Sequence, residues 1–318
     1  MEKPLIKDFL KKEALEGDIG LEVELESGAE TNLPEISTVW WQSVGDNSLR
    51  NGREYVTKKP LPLDERTFER IQFLFKQVAT PRRKVQVSHR TSVHVHNNVS
   101  QYTPTQVWTI VVGYWLFENL LFEYCGEERK GNHFCLRLKD AEDLVDICFE
   151  EISSQRIFQN IASDNIKYGG INLNAIHKFG SLEYRGMRGT TDPKVIYNWA
   201  ATLNMMQKNI AKYWSSPEDL LDFYYKNGWN STASLAFTGA PLRDFLLAVN
   251  KADDLVEENV YRVIKIAYGV SWSGYDKGIA KLFKKKPTKA ETIAETVSRN
   301  MDMWDGSLFP PRRTVVRS

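Results

Sequence analysis

Side chains that bind cations or anions recur at every second residue in three short segments. Glu22, Glu24 and Glu26 stand in Gly20-Leu21-Glu22-Val23-Glu24-Leu25-Glu26, His94 and His96 in Ser92-Val93-His94-Val95-His96, and Glu183 and Arg185 in Ser181-Leu182-Glu183-Tyr184-Arg185. Successive side chains of a β-strand point to opposite faces, so a period of two puts each row on one face. Carboxylates crowded together repel one another unless a cation or protons offset the charge. Oxygen-rich sites suit Mg²⁺ or Mn²⁺, and Mg²⁺ is commonly held by a few carboxylates together with substrate phosphates. Imidazoles beside such a cluster can ligate a metal or donate to a phosphate or a developing oxyanion. The composition points to a metal-nucleotide.

Each row taken singly also fits an ordinary half-buried strand with one wet face, and Glu-x-Arg alone says little. The conjunction says more. Between the first and second rows, the turn formers Gly45, Asp46 and Asn47 lead into Gly52-Arg53-Glu54-Tyr55-Val56-Thr57, a β-favouring run stopped by Pro60. Glu54 is thereby expected near the start of a strand, where it adds a carboxylate to those of Glu22 and Glu24.

The order Gly-x-Glu-x-Glu (Gly20, Glu22, Glu24), Asp-x-Ser-Leu (Asp46, Ser48), Gly-x-Glu-hydrophobic-Val (Gly52, Glu54, Val56), His-Val-His (His94, His96) and Asn-Leu followed by Glu-aromatic-Arg resembles the amidoligases. These belong with glutamine synthetase and glutamate-cysteine ligase among the carboxylate-amine ligases. Arg129 to Leu138, read as Arg-x4-His-Phe-Cys-x-Arg-Leu, and Tyr168 to Leu173 are similar to two further segments of the family. The resemblance spans residues 18–212 and lies in order and spacing. Ser92-Val93 replaces the usual Gly-Leu before His-x-His, and Tyr184 replaces the usual Phe.

The resemblance implies a glutamine-synthetase-like α+β fold, with a largely antiparallel sheet and helices on one face. It implies an ATP- and Mg²⁺-dependent ligase, with Mn²⁺ as a substitute, that joins a small-molecule or peptide carboxylate to an amine through an acyl phosphate. Residue by residue, Glu22, Glu24, Glu54, His94 and Glu183 would be metal ligands, with Glu22 and Glu24 holding the ATP phosphates through the metal. His96 would contact nucleotide or substrate, and Arg185, with Arg188 as a second arginine, would bind phosphate. Arg185, Glu54 and His96 would carry the catalysis. Two alternatives stay open: a non-catalytic binding or structural protein on the same scaffold, and a phosphotransferase acting on another acceptor. Glutamine synthetase assembles its active sites between subunits, so the kinship is compatible with a homo-oligomer.

Other chemistries lack their spacing. No glutamate follows His96 within Asn97 to Gln101 as a cupin-like metal site requires, and Cys125 and Cys135 form no Cys-x-x-Cys pair. There is no His-Glu-x-x-His, no Walker-type phosphate loop and no glycine-rich dinucleotide fingerprint. A net charge of +1 over 318 residues shows no bias toward nucleic acid or acidic membranes. Three scattered cysteines suggest a reducing compartment, and a cytoplasmic protein is expected. The charged start, Met1 to Glu16, reads as a first helix and not a secretory signal. The apolar stretch Val107 to Phe122 carries Glu118 and Asn119 and reads as a buried helix, so no membrane span is expected.

Hydrophobic periodicity predicts strands over 19–26, 36–43, 53–57, 84–97, 171–175 and 180–187, and helices over 64–79, 104–125, 139–150 and 192–212. Beyond 212 the pattern turns wholly helical, with a start at Ser215 to Asp219 and further helices over 240–249, 253–268 and 286–300. The expected division is a catalytic core over 1–212 and a helical part over 213–318, open to being one domain with the core. Trp40, Trp41, Trp108, Tyr114, Trp115 and Phe117 mostly read as core. Lys281 and Lys284 to Lys286 read as a solvated helix end, and Arg312, Arg313 and Arg317 as a tail.

Overall fold

Ile19, Leu21, Val23 and Leu25 alternate with Gly20, Glu22, Glu24 and Glu26 to build β1 (Ile19–Ser27), whose apolar face is completely buried. Each such Leu, Val or Ile contributes roughly 1.5–3 kcal/mol of transfer free energy, which fixes the face that turns inward. The computed structural model of the chain describes residues 3–10, 16–28, 32–79, 84–141, 143–154 and 168–284. Residues Met1–Ile279 form one compact unit and Ala280–Ser318 a second, of which 280–284 are described.

Around β1 a seven-stranded antiparallel sheet assembles from β2 (Trp41–Val44), β3 (Gly52–Thr57), β4 (Val85–Gln86), β5 (Ser92–Asn98), β6 (Ile171–Asn172) and β7 (Ser181–Arg188). The order is β2-β3-β1-β5-β7-β6, with β4 paired to the end of β1. The turn before β3 is shaped by Asp46, which accepts from Ser48 N at 2.7 Å, and by Asn51 in the left-handed region at φ 51°. Gly52 follows because a Cβ there would stand 2.7 Å from the Leu25 carbonyl.

Among the described residues the helices are α1 (Glu65–Val78), α2 (Pro104–Cys125), α3 (Leu144–Ser153), α4 (Ala175–Phe179), α5 (Pro193–Tyr213), α6 (Pro217–Ala236), α7 (Arg243–Leu247), α8 (Ala252–Gly269) and α9 (Tyr275–Lys284). Local signals start them. Asp64 accepts from Thr67 N, Thr103 and Gln106 form a capping box ahead of α2, and Pro193 and Pro217 open α5 and α6 behind Asp192 and Ser216. Helix α2 is the hub, buried along almost its whole length, and α5, α6 and α8 pack against it. Asn259 of α8 donates to the Trp115 carbonyl at 2.7 Å, so helices beyond residue 212 share a core with α2. The class is α+β, as expected. Among the described residues no helix is long and apolar enough to cross a membrane.

Several boundaries move. The strand expected over 36–43 begins only at Trp41, because Thr38 Oγ1 accepts from both Trp40 N and Trp41 N and turns the chain there. The strand over 84–97 splits around a turn in which Thr91 and Ser88 exchange hydrogen bonds. The strand over 171–175 stops at Asn172 and gives way to α4, closed by Gly180 in the left-handed region. The helix expected over 139–150 starts at Leu144 after a 3-10 turn. The N-terminal helix is a 3-10 turn over Ile6–Phe9, while the helix over 286–300 and the arginines at 312, 313 and 317 lie outside the described residues. Trp40 is 39% exposed, with the Arg70 guanidinium 3.7 Å above its ring, whereas the other five aromatics are buried.

Candidate functional site

Antiparallel register brings the polar rows into lateral contact. Glu24 stands opposite Glu54, Glu22 opposite His94, Gly20 opposite His96, and His96 opposite Glu183. Directly opposed residues share a face with Cβ atoms about 4.5–5.5 Å apart, so four strands deliver their side chains to one patch. The reverse face of the same strands carries Leu21, Val23, Tyr55, Val93, Val95 and Leu182, all buried.

Glu22 is the centre of the patch. Its Oε2 lies 2.9 Å from His94 Nδ1 and its Oε1 lies 3.0 Å from His96 Nε2. His94 Nδ1 also approaches Glu183 Oε1 at 3.6 Å, and its Nε2 lies 4.0 Å from Glu24 Oε1. Glu183 accepts from Arg185 Nη1 and, at 2.7 Å, from Asn172 Nδ2. Arg185 donates from Nε to the Phe134 carbonyl at 3.2 Å. Seven of the residues expected from sequence therefore lie together: Glu22, Glu24, Glu54, His94, His96, Glu183 and Arg185.

Arg188 does not join them. Its Nη1 donates to the Tyr124 carbonyl at 2.6 Å, tying it to the C-terminal end of α2, where a cation complements the helix dipole.

Four side chains with no role assigned from sequence support the patch. Ser92 Oγ donates to Glu24 Oε2 at 2.5 Å and lies 2.7 Å from His94 Nε2. Ser181 Oγ lies 3.1 Å from His96 Nδ1, and Asn172 orients Glu183. Ser92 and Ser181 precede His94 and Glu183 by two residues, so alternation alone places them on the polar face. Arg129, the fourth, is not placed by alternation; its sequence signal is that it opens the segment from Arg129 to Leu138. At the rim, the Phe179 ring sits edge-on to His96 with centroids 5.5 Å apart.

Burial and neighbours separate the carboxyls. Burial alone would raise Glu22, but hydrogen bonds and charge from His94 and His96 outweigh it and hold this carboxyl well below its ordinary value. Burial raises Glu54, and the charges of Glu22, Glu24 and Asp46 add to it, so its pKa is pushed up to about 9. Glu183 is lowered, because Arg185, His94 and His96 overcome the effect of burial. His96 is raised against its burial by Glu22 and Glu183. At neutral pH burial and the neighbouring acidic charges thus favour the protonated form of Glu54.

Among the described residues, two sets of donor atoms could hold a cation: Glu22, Glu54 and His94, and Glu22, His96 and Glu183. Within each set the atoms lie within 4.8 Å of one another. Oxygen and imidazole donors of this kind fit Mg²⁺ or Mn²⁺, and a cation would replace the proton that Glu54 retains. Compared with known protein families and with curated proteins, the chain matches none.

Proposed function

We propose that the chain is an ATP- and Mg²⁺-dependent carboxylate-amine ligase, an amidoligase on a glutamine-synthetase-like sheet. One observation carries this reading: two overlapping three-donor groups share Glu22 and lie beside the half-buried guanidinium of Arg185. In the reaction so assigned, an oxygen of the acid substrate attacks the γ-phosphorus of ATP and ADP leaves. The amine nitrogen then displaces phosphate from the acyl phosphate, giving the amide.

Glu22, Glu54 and His94 would hold one divalent cation, and Glu22, His96 and Glu183 a second. Bound there, the cations would neutralise phosphate oxygens. The chain's own groups do the rest by position. Ser92 holds Glu24 beside His94, Ser181 fixes one edge of His96, and Asn172 fixes Glu183. Arg185 sets a fixed positive charge beside them, and an arginine stabilising a transferring phosphoryl group is worth about 10³–10⁵ in rate. Phosphoryl transfer asks for positioning and charge more than for covalent chemistry, so no nucleophilic serine or cysteine is needed.

The non-catalytic scaffold draws on one observation, that His94 and His96 each take up one carboxylate oxygen of Glu22. Glu54 weighs against it. Its carboxyl is crowded by those of Glu22, Glu24 and Asp46, a crowding that a bound cation would relieve.

The test is calorimetry and thermal melting with Mg·ATP. Binding should raise the melting temperature, and EDTA should abolish most of the rise. Arg185→Lys, which keeps the charge but loses the planar fork, should weaken Mg·ATP at least about tenfold with the apo melting point nearly unchanged. Equal ATP affinity with and without divalent metal would sink the proposal. Acid and amine follow from screening substrates for ADP release together with a new amide mass.

A further inference from the structure

Arg129 ends a 3-10 turn, Glu127–Arg129, just after α2 and is completely buried. A guanidinium is costly to remove from water, and this one spends its hydrogen bonds on main chain. Its Nη2 donates to the Arg185 carbonyl at 2.8 Å and its Nε to the Gly186 carbonyl at 3.2 Å, while Nη1 has no hydrogen-bond partner among the described residues.

Strand register explains why those two carbonyls are within reach of one side chain. Val93 faces Met187 and Val95 faces Tyr184, so the single residue His94 stands opposite both Arg185 and Gly186. Two residues against one is a β-bulge, which twists the strand and re-aims a side chain. Consecutive carbonyls of a regular strand point to opposite sides; a single fork reaching both reports that twist. Gly186 makes room for it, since a Cβ there would stand 2.9 Å from the Phe122 ring of α2. The chain after Arg129 then returns to the same place, where the Phe134 carbonyl accepts from Arg185 Nε. Residues 129–134 therefore hold Arg185 by its backbone and by its guanidinium.

We propose that Arg129 is a positioning residue: by clamping the bulge at Arg185 and Gly186 it sets the aim of the Arg185 guanidinium into the carboxylate-imidazole patch. What Arg185 does there rests on the ligase reading; how it is held does not. Arg129→Lys keeps the charge, but one ammonium cannot span both carbonyls as the fork does. With the variant folded, Mg·ATP affinity should fall at least about tenfold, the usual scale for groups that orient a binding residue, while Mn²⁺ affinity without nucleotide stays within about twofold. In the Arg129→Lys, Arg185→Lys double variant the loss should not exceed that of Arg185→Lys alone, because a positioning residue has nothing left to position. Additive losses would overturn the proposal, as would unchanged affinity in Arg129→Lys.

A second readout needs no ligand. In protein labelled with ¹⁵N-arginine, the Arg185 Nε–H should exchange slowly in the wild type and lose that protection in Arg129→Lys; protection that persists overturns the proposal. Arg129→Gln takes the same measurements if the lysine variant does not fold. Wild-type protein that binds no Mg·ATP would end the ligase reading and leave this exchange experiment to decide the positioning role.

Discussion

Glu54 and Glu118 are both carboxyls held far above their ordinary range, up to about 9 and about 8, in surroundings that share little. Glu54 sits on the polar face of the sheet, where Glu22, Glu24 and Asp46 add their charges to the effect of burial. Glu118 lies inside α2, where burial dominates. Its Oε2 accepts from Leu138 N at 2.5 Å and its Oε1 has no hydrogen-bond partner among the described residues. A raised carboxyl is thus no signature of a site by itself. The neighbours decide: one is crowded by groups that a cation would satisfy, while the other fastens the chain after Cys135 to the central helix.

Substitution by glutamine should separate the two most sharply in cation binding. Glu54→Gln keeps the volume and mimics the protonated acid, so the apo protein at pH 7 should melt almost as the wild type does. Its Mn²⁺ affinity should fall about 10–100-fold, the loss typical of a damaged metal shell. Glu118→Gln should leave that affinity within about twofold. Calorimetric titration decides, and equal losses in both variants would erase the distinction.

The pH dependence of stability gives an effect of intermediate size. A carboxyl whose folded pKa lies above its unfolded value near 4.5 keeps a proton that the unfolded chain has released. Stability therefore falls as pH rises from about 4.5, levelling near 8 for Glu118 and near 9 for Glu54. Each contribution is on the order of a few kcal/mol over its window. Glu22 and Glu183, held low, act oppositely and below that window, where stability is lost as pH falls. Denaturant titrations from pH 5 to 9 should show a flatter slope in each glutamine variant. Saturating Mn²⁺ should flatten the Glu54 part alone, since the metal takes the place of that proton; a Glu118 part that also vanished would contradict the comparison.

The smallest effect concerns support of the patch. Ser92→Ala removes the hydroxyl between Glu24 and His94, a loss of about 1–3 kcal/mol for a buried group deprived of its partner. Mn²⁺ affinity should drop several-fold, less than in Glu54→Gln. Affinity equal to wild type would show that Glu24 and His94 need no bridge.

Much of this was legible from the chain alone. Alternation in 20–26, 92–96 and 181–185 specified which side chains share a face, because the strand period of two is a local property. Caps and prolines at Asp64, Thr103, Pro193 and Pro217 marked helix starts for the same reason. Even Ser92, a departure from the amidoligase pattern, stood at the right parity to be polar.

What periodicity could not supply is which strands are neighbours and in what register. Strand order β3-β1-β5-β7 and the pairings of Glu22 with His94 and Glu24 with Glu54 arise from packing against α2 and α5, residues far away in sequence. The same long-range packing drew Arg188 to the end of α2, although its spacing from Arg185 suggested a shared role. It also created the bulge at Arg185 and Gly186, where Phe122 and Arg129 meet the strand from elsewhere in the chain. Side-chain parity follows from the chirality and pleat of a single strand, whereas the site's distances depend on contacts that form only when separate segments bury their apolar faces together.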